Sequence, residues 1–101
     1  MAEPAKAAAT VYIPTLCAGE RLARALDALS QQTHAVEVVI ADNTGSATAV
    51  EELRPHFPLL KVVSFGKNLG FGKAINRAVA AHPGDPIIVL NDDAVPRPDF
   101  V

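Results

Sequence analysis

Two adjacent carboxylates follow a short apolar run near the carboxyl end of this 101-residue sequence. The segment "IIVLNDD" leads directly from apolar side chains into Asn91, Asp92 and Asp93. Taken alone, these residues are most simply the polar end of a strand, because Asn and Asp favour turns by bonding to their own backbone. Two like charges in a partly desolvated cleft repel each other, however, and a divalent cation with oxygen ligands would offset that cost. Such a cation would complete its shell with water and a diphosphate, so this interpretation implies a phosphate-bearing substrate.

Other polar side chains follow the ends of apolar runs earlier in the chain. Thr15 follows the first run, Asp42 and Asn43 follow the second, and Asn68 follows the third. In open parallel sheets, ligands bind beyond the carboxyl ends of the strands. These side chains and the acidic pair should therefore lie along one rim of the sheet. A lone acidic turn needs no such companions, so their convergence favours a site.

The elements that would position these residues alternate between short apolar runs and segments of helical period. This alternation predicts an α/β fold, a Rossmann-like, mostly parallel sheet in the order βαβαβαβ with right-handed crossovers. The first helix should turn Leu22, Ala25, Leu26 and Leu29 inward, and the third Ala74, Ile75, Ala78 and Val79. Predicted strands cover 10–14, 36–42, 60–65 and 86–91, and predicted helices cover 19–32, 48–57 and 70–82. The second of these helices must end near Pro55 or Pro58.

Composition argues against a nucleic-acid-binding, disulfide-bonded or membrane-spanning protein. Half of the residues are hydrophobic and the net charge is -2, with no basic stripe of the kind that follows a nucleic-acid backbone. Cys17 is the single cysteine, so an internal disulfide is impossible and a reducing, cytoplasmic location is expected. No apolar stretch has the length of a membrane-spanning helix, and residues 1–9 are predicted to form a loose tail.

The glycine-containing segment "FGKNLGFGKAIN" fits neither common nucleotide-binding motif. Lys67 stands where a P-loop requires glycine, and Ile75 stands where the dinucleotide fingerprint requires Gly or Ala. The glycines can simply ease the start of the third helix. Alternatively, this backbone lies beside a ligand together with Asn68 and Lys73, and the sequence leaves both interpretations open.

Asp42 also has two interpretations. Followed by Asn43 and Gly45, it can form an Asx turn. As an ionised carboxylate, it can also accept hydrogen bonds from the edge of a base or from a ribose. Spacing does not choose between them. Pro14, likewise, can be no more than the residue that stops the first strand.

Taken together, "VYIPTL", "EVVIADNTGS", "KNLGFGKAIN" and "IIVLNDDAVPRPDF" resemble the amino-terminal, nucleotide-sugar-binding half of the family 2 glycosyltransferases, which have the GT-A fold. The resemblance covers residues 10–101. It implies that Pro14, Thr15 and Asp42 line the pocket for the base and ribose of a UDP- or dTDP-type sugar. It also implies that Asn68, Gly70 and Asn76 shape the wall beside the nucleotide, with Lys73 as a further contact.

The family's DxD signature falls on residues 91–93. The resemblance implies that Asp93 binds a divalent metal, Mg or Mn, that bridges the diphosphate, and that Asp92 contacts the ribose or the sugar. Asn91 departs from the signature, which has Asp at its first position. A second departure is that "NTGSAT" offers no further carboxylate near Asp42.

The implied reaction is transfer of the sugar, with inversion, from the nucleotide-sugar donor to an acceptor hydroxyl on a glycan or a lipid-linked molecule. In the family the general base lies in the carboxyl-terminal half, so this chain is expected to be a donor-binding half that is poorly active alone. With strand order 3-2-1-4, helices one and two would cover one face, helix three the other, and strand four would form an open apolar edge, which isolated domains usually avoid.

A cytoplasmic location is the expected one, and the sequence leaves open whether the protein is peripheral at the inner membrane face. The alternative function is a non-catalytic or degenerate nucleotide-binding or interaction module. A phosphoacceptor receiver domain fits less well, because its acidic pair would follow the first strand, where this chain has "PTL".

Overall fold

Four parallel strands form one sheet in the order β3-β2-β1-β4, with helices on both faces. This computed structural model describes residues 9–16, 19–32, 35–45, 50–53, 55, 57, 60–84, 86–92 and 94–97. The elements are β1 Ala9–Thr15, α1 Glu20–Ser30, β2 Val36–Asp42, a 3₁₀ helix Glu51–Leu53, β3 Lys61–Ser64, α2 Phe71–Ala81 and β4 Ile87–Val89. The predicted α/β fold and strand order are confirmed.

The register of the sheet brings three strand ends to the same level. Thr15 at the end of β1 pairs with Asp42 at the end of β2, and Asp42 in turn pairs with Ser64 at the end of β3. β4 runs parallel to β1 on the other side and pairs through Tyr12 and Val89. Every loop that leaves these carboxyl ends therefore starts at one rim.

One face of the sheet packs against α1. Val11, Ile13 and Ile40 are fully buried there, together with the leucines of α1 and with Val50 and Leu60. The four residues predicted on the inner face of the first helix are all buried, which confirms the periodicity: Leu22, Ala25, Leu26 and Leu29.

The other face packs against α2. Tyr12 and Val39 are fully buried against Ala74 and Ala78, whose small side chains let the helix approach the strands closely. Ile75 and Val79 are partly buried at the margin of this contact. The helices therefore cover opposite faces, as the 3-2-1-4 order predicts.

The predicted helix 48–57 differs in the structure. Within its described residues, the only helical segment is the three-residue 3₁₀ helix Glu51–Leu53. The reason is Pro55, which lacks the N–H that an α-helix would use and whose ring would clash with the carbonyl of Glu51. Val50, 1% exposed, still anchors the segment in the core.

β4 lies at the edge of the described sheet and is shorter than predicted. Ile87 is 50% exposed and Val89 is 42% exposed, on the same side as α2, which packs over β1, β2 and β3. The predicted apolar edge is therefore present among the described residues. No helix within these residues has both the length and the apolar character needed to cross a bilayer.

Tyr12 generates a prediction about alkaline stability. Its hydroxyl donates a 2.6 Å hydrogen bond to the carbonyl of His82, and its pKa is raised, first by burial and then by the Glu37 carboxylate, while Lys61 acts in the opposite direction. A raised pKa means that its stabilising contribution is present below about pH 10 and is lost as the pH rises through the folded-state pKa.

We expect urea-unfolding midpoints to fall above about pH 10 in the native chain and to fall less in Tyr12→Phe. At neutral pH the free energy of unfolding of the variant should be about 1 kcal/mol lower, because the variant lacks the hydrogen bond to His82. Tyr12 is the single tyrosine, so phenolate absorbance reports its ionisation directly. If the urea-unfolding midpoint fell equally in both proteins at alkaline pH, ionisation of Tyr12 would not be the cause of the lost stability.

Candidate functional site

A cleft of about 490 Å³ opens at the carboxyl-end rim of the sheet. It lies where β1 and β4 separate, with α1 beginning on one side and α2 on the other. In a 3-2-1-4 order the connections change direction between β1 and β4, and such switch points are where open α/β sheets bind ligands. The lining residues are Pro14, Thr15, Leu16, Arg21, Asn43, Asn68, Gly70, Phe71, Asn91 and Asp92.

Asn43 ties three segments of this rim together. Its side-chain carbonyl accepts a 3.0 Å hydrogen bond from the backbone N–H of Leu69, and its amide group donates at 3.3 Å to the carbonyl of Gly70. Its own backbone N–H donates at 2.9 Å to the carbonyl of Thr15. The residue is 4% exposed, so these bonds are shielded from water. Asn43 therefore fixes where the loop before α2 lies relative to β1 and β2.

Asp92 is held by a neighbouring strand. The hydroxyl of Thr15, which is 1% exposed, donates a 2.9 Å hydrogen bond to Oδ2 of Asp92 across 77 residues of sequence. No described residue bonds to Oδ1 of Asp92. One carboxylate oxygen is thus fixed by the protein, while the other remains available at the cleft.

Asn91 and Asp92 belong both to a turn and to the cleft. The N–H of Ala94 donates at 3.1 Å to the carbonyl of Asn91, and Asp92 lies in a turn. Asn91 is exposed and Asp92 is half-buried, and both line the cleft. The two interpretations of this segment are therefore compatible. Asp93, predicted to be the metal ligand, lies outside the described residues.

The start of α2 forms another wall. Gly70 has φ +84°, a conformation that favours glycine, and its N–H donates at 2.8 Å to the side-chain oxygen of Asn68. Ala74 is the first residue of α2 whose N–H bonds four residues back, to Gly70. The preceding amides and the helix dipole give this wall a positive potential. Phe71, 57% exposed, adds an apolar surface to it.

Asp42 lies beside the cleft rather than among its lining residues. It is 3% exposed, and its carboxylate accepts hydrogen bonds from the N–H of Thr44 at 2.9 Å and from the hydroxyl of Ser64 at 3.1 Å. The first of these is the Asx turn that the sequence allowed. The bonds direct the carboxylate toward the end of β3, whereas the cleft lies between β1 and β4.

The remaining predicted site residues divide by position. Pro14, Thr15, Asn68, Gly70, Asn91 and Asp92 come together in the cleft. Lys73 and Asn76 are exposed on α2 and are not among the lining residues. Sequence reasoning named Asn43 only as a rim residue and did not assign Leu16, Arg21 or Phe71 to the site. Their positions directly after β1 or in the first turn of a helix were the signal, because both places face this rim.

The oxygen donors of the cleft suit a hard divalent cation. Asp92 supplies a carboxylate oxygen and Asn91 an amide oxygen, and the described residues contain no group of three or more His, Cys, Asp or Glu that could enclose a metal. A cation with few protein ligands keeps water or phosphate oxygens in its shell, as magnesium commonly does. Among the described residues, Asn91 and Asp92 could therefore supply only part of the shell of such a cation.

These features of fold and rim match a known family. The model of the glycosyl transferase family 2 matches residues 10–101, so the chain belongs to this family and the resemblance is confirmed. No curated protein matches the chain.

Two solved structures illustrate the relationship. The mannosyltransferase PcManGT from Pyrobaculum calidifontis, in complex with GDP-Man and Mn²⁺, is 26% identical, with a TM-score of 0.74 over 85% of this chain. TarS 1-349 from S. aureus is 22% identical, with a TM-score of 0.76 over 88% of this chain, and shows the shared fold. The chain spans 27% and 28% of these two structures.

Asn43 generates a second prediction. Asn43→Ala leaves the N–H of Leu69 without its partner in a shielded place and removes one of the two hydrogen bonds to the carbonyl of Gly70, which keeps its bond from Ala74. We therefore expect a loss of about 2 kcal/mol in the free energy of unfolding. Urea denaturation measures this loss. The matched control is Asn68→Ala, which removes one exposed local bond and should cost less than about 1 kcal/mol. Equal losses in the two variants would show that Asn43 does not tie the rim.

Proposed function

We propose that this chain forms the donor-binding part of a glycosyltransferase that transfers a sugar from a nucleotide-diphosphate sugar to an acceptor hydroxyl with inversion. The observation that carries the proposal is the cleft at the β1–β4 switch point, where Thr15 holds Asp92 with one oxygen available, in a chain of glycosyl transferase family 2. A diphosphate is the ligand that would share a cation with so few protein oxygens.

In this proposal each wall of the cleft has a separate task. Pro14, Thr15 and the segment from Asn68 to Gly70 enclose the base and ribose. Asp42 supports this pocket through its bonds to Thr44 and Ser64. Lys73 and Asn76, on α2, contact the donor only if it extends beyond the cleft.

The cation is Mg²⁺ or Mn²⁺, and Asp93 would hold it, as the sequence predicts. The unbonded oxygen of Asp92 extends this proposal, because Asp92, predicted to contact the ribose or the sugar, could serve as a second ligand with Asn91 beside it. When bound, such a cation offsets the charge that develops on the departing nucleoside diphosphate. The neighbour PcManGT was solved with Mn²⁺, which supports metal use in this family. Thr15 contributes by fixing Oδ2 of Asp92, so the carboxylate need not be ordered when the ligand binds.

The donor base and the acceptor are proposed more broadly. A UDP- or dTDP-type donor is the prediction from sequence, and the GDP-Man of PcManGT adds a purine donor to the candidates. The acceptor is a glycan or a lipid-linked hydroxyl compound. The general base that deprotonates it is not assigned to any described residue, and the cytoplasmic location at the inner membrane face also stays a prediction.

Isothermal titration calorimetry tests the proposal. UDP, dTDP and GDP are titrated into the chain, shown to be folded by circular dichroism, with and without Mn²⁺. We expect metal-dependent binding of at least one diphosphate, and Asp92→Ala should weaken it by about tenfold or more because a charged ligand is lost. Asp27→Ala, which removes an exposed carboxylate of α1, is the matched control and should bind like the native chain.

Two outcomes would count against the proposal. Equal affinity for the diphosphates with and without Mn²⁺ would show that no cation takes part in binding at this site. A folded chain that binds none of the three diphosphates would favour the non-catalytic or degenerate module instead.

Thr15 gives a further prediction about positioning. Thr15→Val preserves the shape of the side chain but removes the donor to Asp92, so metal-dependent diphosphate affinity should fall several-fold while affinity without metal is unchanged. Thr15→Ser retains the hydroxyl and should restore metal-dependent affinity. If Val and Ser lower the affinity equally, packing rather than the hydrogen bond is responsible.

A further inference from the structure

Arg21 is the cationic side chain among the described residues that line the cleft, and Asp92 is the anionic one. Arg21 is the second residue of α1, which begins at Glu20 immediately after the loop that leaves β1. The cleft therefore has charge of both signs, and Asp92 is already engaged by Thr15.

The next arginine along α1 shows what is unusual about Arg21. Arg24 forms a 2.7 Å ion pair with Glu20, one turn away on the exposed side of the helix. No hydrogen bond or ion pair connects Arg21 to any described residue. The acidic residue of the first turn is thus used by Arg24, and the charge of Arg21 is left for a ligand.

The position of Arg21 is also electrostatically unfavourable without an anion. The amino terminus of a helix carries a partial positive charge, so carboxylates stabilise the first turn and cations destabilise it. Gly19, the N-cap of α1, provides no side-chain hydrogen bond to this end. The start of α2, at Gly70 and Phe71, lines the same cleft and adds a second positive helix end. An anion with more than one negative charge would neutralise the positive charge that Arg21 and the two helix ends bring to the cleft.

We propose that Arg21 binds the diphosphate of the donor and makes the cleft select nucleoside diphosphates over nucleosides. The guanidinium group matches phosphate geometry, because it offers parallel N–H donors to two oxygens at once. Arg21 lies on the α1 side of the cleft, so it would neutralise phosphate charge that the cation at Asp92 and Asp93 leaves uncompensated. This inference rests on the proposed function and adds a specificity-determining residue to it.

The test compares a nucleoside, its monophosphate and its diphosphate, for the base that the native chain binds best, by calorimetry with Mn²⁺. In Arg21→Gln, affinity for the diphosphate should fall about tenfold or more, with affinity for the nucleoside unchanged. Arg21→Lys should recover part of the lost diphosphate affinity, because lysine keeps the positive charge but lacks the paired N–H donors of the guanidinium group. The matched control is Arg24→Gln, which removes another exposed arginine of α1, one that is not among the lining residues, and should leave all three affinities unchanged.

A thermal melt without ligand separates binding from folding. Arg21→Gln should melt at the same temperature as the native chain or slightly higher, because it removes a cation from the first turn of α1. Unchanged diphosphate affinity in Arg21→Gln, or an equal loss for nucleoside and diphosphate, would overturn the assignment of Arg21 alone. Failure of the native chain to bind any of the three ligands would instead overturn the proposed function, and this inference with it.

Discussion

The geometry of the rim depends on the hydrogen bonds that the side-chain amide of Asn43 makes to Leu69 and Gly70. Parallel strands end in loops whose backbone groups have lost their ladder partners, and a buried polar group must find a partner or cost free energy. Asn43 supplies both a donor and an acceptor to the loop before α2, while its backbone remains bonded to β1. The start of α2 is therefore fixed relative to β1, and the cleft has a rigid wall before any ligand binds.

The polar groups around this amide follow the same rule. Thr15 bonds to Asp92, Ser64 bonds to Asp42, and within the described residues no buried side-chain nitrogen or oxygen lacks a hydrogen-bond partner. Such a network is preorganised, so a ligand that binds there spends little free energy on ordering side chains. The charges at the cleft are different, because Arg21 and Oδ1 of Asp92 have no partner among these residues. The hydrogen-bonded side chains hold the rim in place, and Arg21 and Oδ1 of Asp92 are the groups that a ligand could bind.

Much of the fold could be predicted from local pattern. The bounds of β2 agree with the predicted 36–42, and all four inward residues of the first helix are buried, because period-two and period-3.6 patterns report directly which face is covered. Within the predicted helix 48–57, whose end the sequence placed near Pro55 or Pro58, the described residues form only a three-residue 3₁₀ helix, and Pro55 limits its length by removing a backbone donor. Within the site, residues directly after strands could be anticipated, since strand ends must meet at the rim.

The sequence by itself therefore determined the alternation of strands and helices, the two covered faces and the family to which the chain belongs. Tertiary structure decided which rim residues face the cleft. Asp42 is turned toward Ser64 rather than the cleft, and Asn43, one residue later, is bonded to a segment 26 residues away. Partners so distant meet only through strand register and crossovers, and Arg21 reaches the cleft only because α1 begins close to the rim at which β1 ends. Local periodicity contains no information about such pairings.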